Sequence, residues 1–394
     1  MSFHENNRQK LVEICNGGMF VFSGYDAMQL SGDMEAVFLQ EGSFWWLSGI
    51  EEPGWKIIFG NGMKTTLFRP ESSDVQITFD GSLSDDEARA LSGASSVLPM
   101  SEFEHELRQH RRVHPRVNTA RPGDQGHFVH NPAPLDTVRL LDRIFANVDD
   151  CSNMVHELRA IKQPEEIERI RKAVNLTIDA FRHVKDTIDA HKSENAVEAE
   201  FTYLFRQNNA HHAYHPIVAA GGHACTLHYD KNNATFTKKQ GILIDIGARY
   251  KGYSADITRT YCASPTKRFL AVHQAVEKAH FRCIALLKPD VLVAEYIASV
   301  DEIMKDALEE VGLLPDRSDT EAYRRYFPHS ISHGLGIDTH DSLGRPRYFR
   351  PGMVLTVEPG IYIPEENIGV RIEDDILITS DGNENLSGAL STKL

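Results

Sequence analysis

Four carboxylates stand where an unpaired charge costs most. Asp245 lies in ILIDIG, Asp256 in YSADITRTY, Glu358 in TVEPG and Glu373 in VRIEDD, each inside an apolar stretch punctuated by Gly or Pro. A single Asp or Glu is usually a solvated surface charge. A carboxylate held among Ile and Val must instead be paired or coordinated, so a fold for this chain has to gather these groups around positive charge. His333 in SISHGLG adds an imidazole to the series. Four carboxylates and one imidazole, with no thiolate among them, are hard and borderline donors that suit two divalent ions of the manganese, cobalt, zinc or iron kind.

The pattern around these residues predicts strands. Ile242, Ile244 and Ile246 alternate with Leu243, Asp245 and Gly247, while Tyr253, Ala255 and Ile257 alternate with Ser254, Asp256 and Thr258. That period of two reads as a β-hairpin with ARYKG as its turn region. Neighbouring strands lie about 5 Å apart, so Asp245 and Asp256 can reach a common pair of ions. A second ladder is expected from Val354 to Glu358 and from Gly369 to Ile378. Along the latter, Arg371, Glu373 and Asp375 share one face and Val370, Ile372 and Asp374 the other.

At 394 residues the chain is long enough for two domains. Residues 1 to about 150 read as a mixed α/β unit. Its strands are expected at Met19 to Phe22, Lys56 to Phe59 and Thr65 to Phe68, with a helix opening at the serine of SDDEARAL. A loop rich in Pro, Gly and Asn is expected from Asn118 to Pro134. In IKQPEEIERIRKAVNLTIDAFRHV the apolar residues Ile167, Ile170, Val174, Ile178 and Phe181 take a helical spacing, and Pro164 with Glu165 and Glu166 suits the helix start. The domain boundary therefore falls between Val155 and Pro164, giving domains 1–158 and 159–394.

Composition narrows the function classes. A formal charge of −14 argues against a general nucleic-acid binder. Arg108, Arg111, Arg112 and Arg116 in LRQHRRVHPR read as a solvated helix end and loop. No apolar run approaches the length of a membrane span, so no membrane association is expected. Cys15, Cys151, Cys225, Cys262 and Cys283 are odd in number and contain no CxxC pair, which disfavours a disulfide framework or a zinc ribbon. A reducing cytoplasm is the expected location.

The motifs TLHYD, LIDIGARYKGYSADITRTY, FPHSISHGLGIDTHD, PGMVLTVEPGIYI and GVRIEDDILIT occur in this order between about Lys162 and Leu386. That stretch resembles the pita-bread metallopeptidase family, and within it the proline-specific branch of aminopeptidase P and prolidase. The resemblance implies an α/β architecture, with a C-terminal pita-bread catalytic domain behind a smaller mixed α/β domain that completes the substrate cleft or builds an oligomer. It implies a dinuclear site with Asp245, Asp256, His333, Glu358 and Glu373 as ligands and manganese as the first expectation. His228, His329 and His340 take accessory roles, and Arg371 supports the ligands. In such a site Glu358 shuttles the proton, His340 with His228 hydrogen-bonds the peptide or the developing oxyanion, and His329 walls a proline pocket. His211, His212 and His215 in HHAYHP read as ordinary surface or core histidines.

The N-terminal run SGDMEAVFLQEGSFWWLSGIEEPG is similar to a segment of the same enzymes. Asp33 matches an aspartate that, in aminopeptidase P relatives, approaches the substrate amine from a neighbouring subunit. Leu39 departs from the arginine common at its position. Trp45 and Trp46 suit domain core or substrate contact equally. The expected function is hydrolysis of the Xaa-Pro bond at a peptide N-terminus by a homodimer or homotetramer. The connection from His340 to Pro351 and the ending GNENLSG lean towards aminopeptidase P over prolidase. A catalytically silent peptide-binding module, a methionine aminopeptidase or a creatinase-like hydrolase are the alternatives.

Overall fold

The computed structural model describes residues 2–123 and 129–394. The chain divides into two compact units, Met1–Leu158 and Arg159–Leu394.

The first unit is built on a six-stranded mixed sheet, ordered Ser96–Pro99, Thr66–Arg69, Lys56–Gly60, Met19–Ser23, Arg116–Thr119, Asn147–Asp150. The three strands legible as apolar runs form its antiparallel centre. The other three join in parallel register. They are short and largely half-buried or exposed, which erases the apolar signature that marks a central strand. Met19, Val21, Ile58, Phe68, Phe103, Leu107, Val117 and Leu141 form the core against this sheet. Ser84 caps the helix Asp85–Ser92 in a reciprocal box with Glu87. The expected loop from Asn118 to Pro134 is shorter at both ends. Asn118 and Thr119 belong to a strand, and Asn131 caps a helix, Pro132–Ile144, that opens on proline. Residues 124–128 of that loop lie outside the described residues.

In the second unit the helix Pro164–Thr187 starts where expected, with Gln163 and Glu166 capping each other. Helices Lys267–Leu286 and Val293–Glu310 bury Val272, Val276, Cys283, Val300, Met304 and Leu308. These pack with Leu355, Val357, Ile361, Val370 and Ile376 from the strands, and with Ile372, in one core. No described helix is long and apolar enough to cross a membrane, and all five cysteines are free.

The first hairpin forms but is broken in two. Ile242–Asp245 pairs antiparallel with Thr258–Tyr261, placing Asp245 opposite Thr258. Ala248–Tyr250 pairs with Tyr253–Ser254 in a different sheet. Most of the expected turn ARYKG is thus strand. The turn itself is Lys251-Gly252, both at positive φ, the backbone that a tight two-residue hairpin requires. At the break a Cβ on Gly247 would run into the carbonyl oxygen of Ala255, so two backbone segments pass close together beside Asp256 and only glycine fits.

The second ladder is interrupted likewise. Val354–Val357 pairs with Asp374–Ile378, but Ile368–Arg371 pairs with Gly360–Ile363 in a separate sheet. Ile372 and Glu373 lie between the two strands. The alternation nevertheless survives the break. Arg371 and Glu373 both bond to Thr258, whereas Asp374 meets Arg259 and His280 elsewhere.

Candidate metal centre

The interruptions in the strands are where the donors sit. Asp245 ends one strand, Asp256 lies in the gap before Thr258, Glu358 follows Val357, and Glu373 occupies the gap after Arg371. His333 belongs to an extended segment running beside Val354–Glu358. It is held by N–H bonds from His333 to Thr356 Oγ1 (3.1 Å), from Thr356 to the His333 carbonyl (3.0 Å) and from Glu358 to the Ile331 carbonyl (3.0 Å). A regular strand interior would point successive side chains to opposite faces. Ending strands at these points lets five segments aim their donors inward.

The five donors are brought together. Ligand atoms of Asp256, His333 and Glu373 all lie within 4.8 Å of one another. His333 Nε2 is 3.4 Å from Asp256 Oδ2 and 3.5 Å from Glu358 Oε1. Asp245 joins through Tyr214, whose hydroxyl lies 2.6 Å from Oδ1 of both Asp245 and Asp256. The guanidinium of Arg371 donates to Asp245 Oδ2, to Thr258 Oγ1 (3.1 Å) and to the Tyr362 hydroxyl (2.8 Å).

Charge crowding is severe. Burial raises the Asp245 carboxyl, with Arg371 opposing and Asp256 adding to the rise. Glu358 is pushed up to about 7 by burial, against the pull of His333 and Arg371. Glu373 is driven well above the ordinary range by burial and then by Asp256, Glu358 and Asp245. For His333, burial lowers the pKa, but Asp256 and Glu358 outweigh it and bring it to about 9. Negative charge in the cluster calls for more positive charge than the protein supplies. The donor set fits divalent cations. Donation from His333 Nδ1 to the Gly334 carbonyl (3.0 Å) turns Nε2 towards the carboxylates, the nitrogen that would be left to coordinate once a cation displaces its proton.

The accessory histidines surround this cluster. His340 is exposed, with its ring centroid 4.3 Å from that of His333. His329 is held by the Ser330 carbonyl (2.8 Å) and the Tyr362 hydroxyl (2.9 Å), and its Nδ1 is 3.7 Å from Glu358 Oε2. Burial lowers the His329 pKa to about 4, so the ring is neutral. His228 is exposed and close enough to bear electrostatically on both His329 and His340. By contrast, His212 bonds to Thr202 and His211 to Arg206, away from the carboxylates. Asp33 lies exposed in the turn between Gln29–Ser31 and Met34–Glu35, with Leu39 exposed nearby in sequence. Trp45 and Trp46 are buried in the helix Gly42–Ser48 and belong to the core of their unit.

Four residues that the sequence did not single out complete the site. Tyr214 sits among the histidines of HHAYHP, where no periodicity marks it. Thr258, Thr356 and Tyr362 orient Glu373, Glu358 and Arg371 by hydrogen bonds. Thr258 carried a signal, since it shares the alternating face of Asp256. Asp375 is fully buried. Its Oδ2 accepts the Asp256 N–H at 3.1 Å, and its Oδ1 has no partner among the described residues.

Known proteins match this chain in two stretches. Residues 168–380 match the profile described as metallopeptidase family M24, and residues 4–117 match the aminopeptidase P N-terminal domain. The Xaa-Pro aminopeptidase of Escherichia coli (strain K12) is 32% identical over 423 residues, covering 99% of this chain and 95% of the relative. Xaa-Pro aminopeptidase 3 of Homo sapiens is 32% identical over 381 residues, covering 89% of this chain and 74% of the relative. Among solved structures, aminopeptidase P from E. coli with the inhibitor Pro-Leu superposes with a TM-score of 0.88 at 29% identity, covering 100% of this chain and 96% of the other.

Proposed function

The chain belongs to metallopeptidase family M24, and from that premise we propose that it is an Xaa-Pro aminopeptidase, removing the first residue of peptides whose second residue is proline. The observation that carries this reading is the pairing, in one chain, of the family's catalytic region at 168–380 with an aminopeptidase P N-terminal domain at 4–117. A methionine aminopeptidase needs no domain of the second kind.

Asp245, Asp256, His333, Glu358 and Glu373 would hold two divalent cations, manganese first. When bound, these supply Lewis acidity towards the scissile carbonyl and an attacking water acidified towards neutrality. Glu358 moves the proton. Its Oε1 is engaged by Thr356 and faces His333, while Oε2 lies on the His329 side, and Oε2 is the atom assigned to take the proton from water and return it to the prolyl nitrogen. His340 presents an exposed ring N–H to the substrate carbonyl, with His228 beside it, and this donor strengthens as the oxygen becomes negative. Arg371 anchors Asp245 and neutralises part of the acidic cluster.

Proline selectivity follows from the bond. An Xaa-Pro amide has no N–H and a fixed φ, so a peptidase that grips the N–H loses a contact. His329, locked by Tyr362 and Ser330, offers a neutral wall to the ring instead. A homodimer or homotetramer acting on peptides in the cytoplasm belongs to the same reading.

The test is hydrolysis of an Xaa-Pro-Yaa tripeptide, an Xaa-Pro dipeptide and an Xaa-Ala-Yaa tripeptide by manganese-supplemented protein. The prolyl tripeptide should be cleaved fastest, after its first residue. Preference for the dipeptide would move the assignment to prolidase, and hydrolysis of none would overturn it.

A further inference from the structure

Glu194, the first residue of the helix Glu194–Gln207, is a carboxylate with no exposed surface that stands outside the set of five donors. Both of its oxygens are used twice. Oε1 accepts from the Ala220 N–H (2.9 Å) and lies 3.0 Å from His223 Nδ1, while Oε2 accepts from the Tyr229 hydroxyl (2.8 Å) and the Ala234 N–H (2.9 Å). A carboxylate can serve four donors with two oxygens, whereas a carboxamide accepts at one end and donates at the other. Filling the space would not call for a buried charge, and these four bonds offset its desolvation.

The four partners span residues 220–234, the connection that follows the strand Ile217–Ala220. Long connections are ordinarily the mobile parts of a domain unless their backbone is tied down. Here one helix ties it repeatedly. The Glu194 N–H donates to the Ala234 carbonyl at 2.9 Å. One turn along the same helix face, Glu198 Oε2 accepts from Asn232 Nδ2 at 2.9 Å, and Asn232 Oδ1 accepts the Val218 N–H at 2.9 Å. His228 rides on this connection. Its neighbours Leu227 and Tyr229 pack with Ile217, Leu243 and Tyr362 in a small core, and His228 is left exposed. Tyr362 in turn bonds to His329 and Arg371.

We propose that Glu194 is a positioning residue: by gathering four donors of the 220–234 connection it holds His228 in place towards the substrate. The carboxylate reaches His228 through Tyr229, one residue away, whose ring also stacks on His223 at 4.4 Å. Two of the bonds made by one buried group thus converge beside the exposed imidazole. The step through His228 rests on the proposed peptidase reading. The ordering of the connection does not.

Two substitutions test the pair. Glu194→Gln keeps the volume and removes acceptance at one end, and Tyr229→Phe removes only the hydroxyl beside His228. In manganese-loaded protein each should lower kcat for an Xaa-Pro-Yaa peptide about ten-fold with bound metal unchanged, the scale of coupling within one hydrogen-bonded network. In a His228→Ala background the same substitutions should lower kcat less than about two-fold, because the group they position is gone. A merely structural carboxylate would lower kcat by the same factor in both backgrounds. That outcome, or loss of metal in Tyr229→Phe, would overturn the proposal, and should Glu194→Gln fail to fold, the Tyr229→Phe cycle decides alone. Trypsin supplies a readout that needs no activity. Lys231 is exposed within the connection, and cutting of the native protein after it, followed by mass spectrometry, should accelerate about five-fold in either variant as the connection opens more often. An unchanged rate in both would overturn the ordering. A parent chain that hydrolyses no prolyl peptide would sink the peptidase reading and the step through His228 with it, and the tryptic rate would still decide whether Glu194 orders the connection.

Discussion

Glu373 and Thr258 bond to each other twice. The Glu373 N–H donates to the Thr258 carbonyl at 3.1 Å, and the Thr258 hydroxyl donates to Glu373 Oε2 at 2.6 Å. This pair joins the strand opposite Asp245 to the segment between Arg371 and Asp374. The same hydroxyl oxygen accepts from Arg371 Nε. Thr258→Val keeps the shape and removes the hydroxyl. It should weaken divalent-ion affinity about 10- to 100-fold, the usual effect of losing a group that orients a ligand. Competition with a fluorescent chelator measures this, and an unchanged affinity would contradict the role given to Thr258.

Removal of a central donor should be far more damaging. Asp256→Ala or Glu373→Ala should lower turnover by several orders of magnitude and reduce bound metal below the roughly two ions expected per chain, and chelators should silence the parent. Elemental analysis beside a peptide assay gives both readouts. Normal turnover in either variant would exclude this cluster as the reaction centre.

His333 and His340 have adjacent rings but different assigned tasks. His340→Ala should retain metal and lose roughly 10²-fold in turnover, the scale of one oxyanion donor. His333→Ala should lose metal as well. Equal metal loss in the two variants would merge the roles separated here.

Stability should fall on acidification because of His280, a buried ring far in sequence from the donors. Burial lowers its pKa to about 4, with Asp374 raising it, Arg259 lowering it and Glu277 raising it. The unfolded chain protonates this ring near 6.5. Between those values the unfolded state binds more protons, so the contribution of His280 is complete above about pH 6.5 and is lost as pH falls towards 4. The full effect is on the order of 3 kcal/mol. Denaturant melts of parent and His280→Gln from pH 7 to 4.5 should diverge in slope, the variant being the flatter. Parallel profiles would show that His280 is protonated at little cost in the native state.

Asp33 is exposed in a turn of the first unit. Its assignment to the substrate amine predicts that Asp33→Ala raises KM for peptides with a free N-terminus while metal content stays intact, and that the native protein sediments as a dimer or tetramer. A fully active monomer, with Asp33→Ala equal to the parent, would give this domain another task.

The cluster was legible because its chemistry is local. Asp245, Asp256, His333, Glu358 and Glu373 each sit in an apolar run where a charge must be compensated, and the period of two placed Arg371 and Glu373 on one face. The central strands at Met19, Lys56 and Thr66 were legible for the same reason, since burial on both faces leaves continuous apolar runs. The flanking strands at Ser96, Arg116 and Asn147 were not, because a short strand half open to solvent needs no such run.

What the sequence by itself determined is the donor chemistry and the extended character of the segments that carry it, since both follow from the cost of burying charge and from side-chain alternation along single runs. Only the tertiary structure decided where those strands stop and which neighbours orient the donors. The breaks at Gly247 and Ile372, the hydroxyl of Tyr214 shared by Asp245 and Asp256, and the meeting of Thr258 with Glu373 across 115 positions all depend on contacts between distant segments. Such contacts leave no periodic trace in the sequence. The physical reason is that a hydrogen bond between remote residues is selected by geometry at one point, whereas burial acts on every residue of a strand.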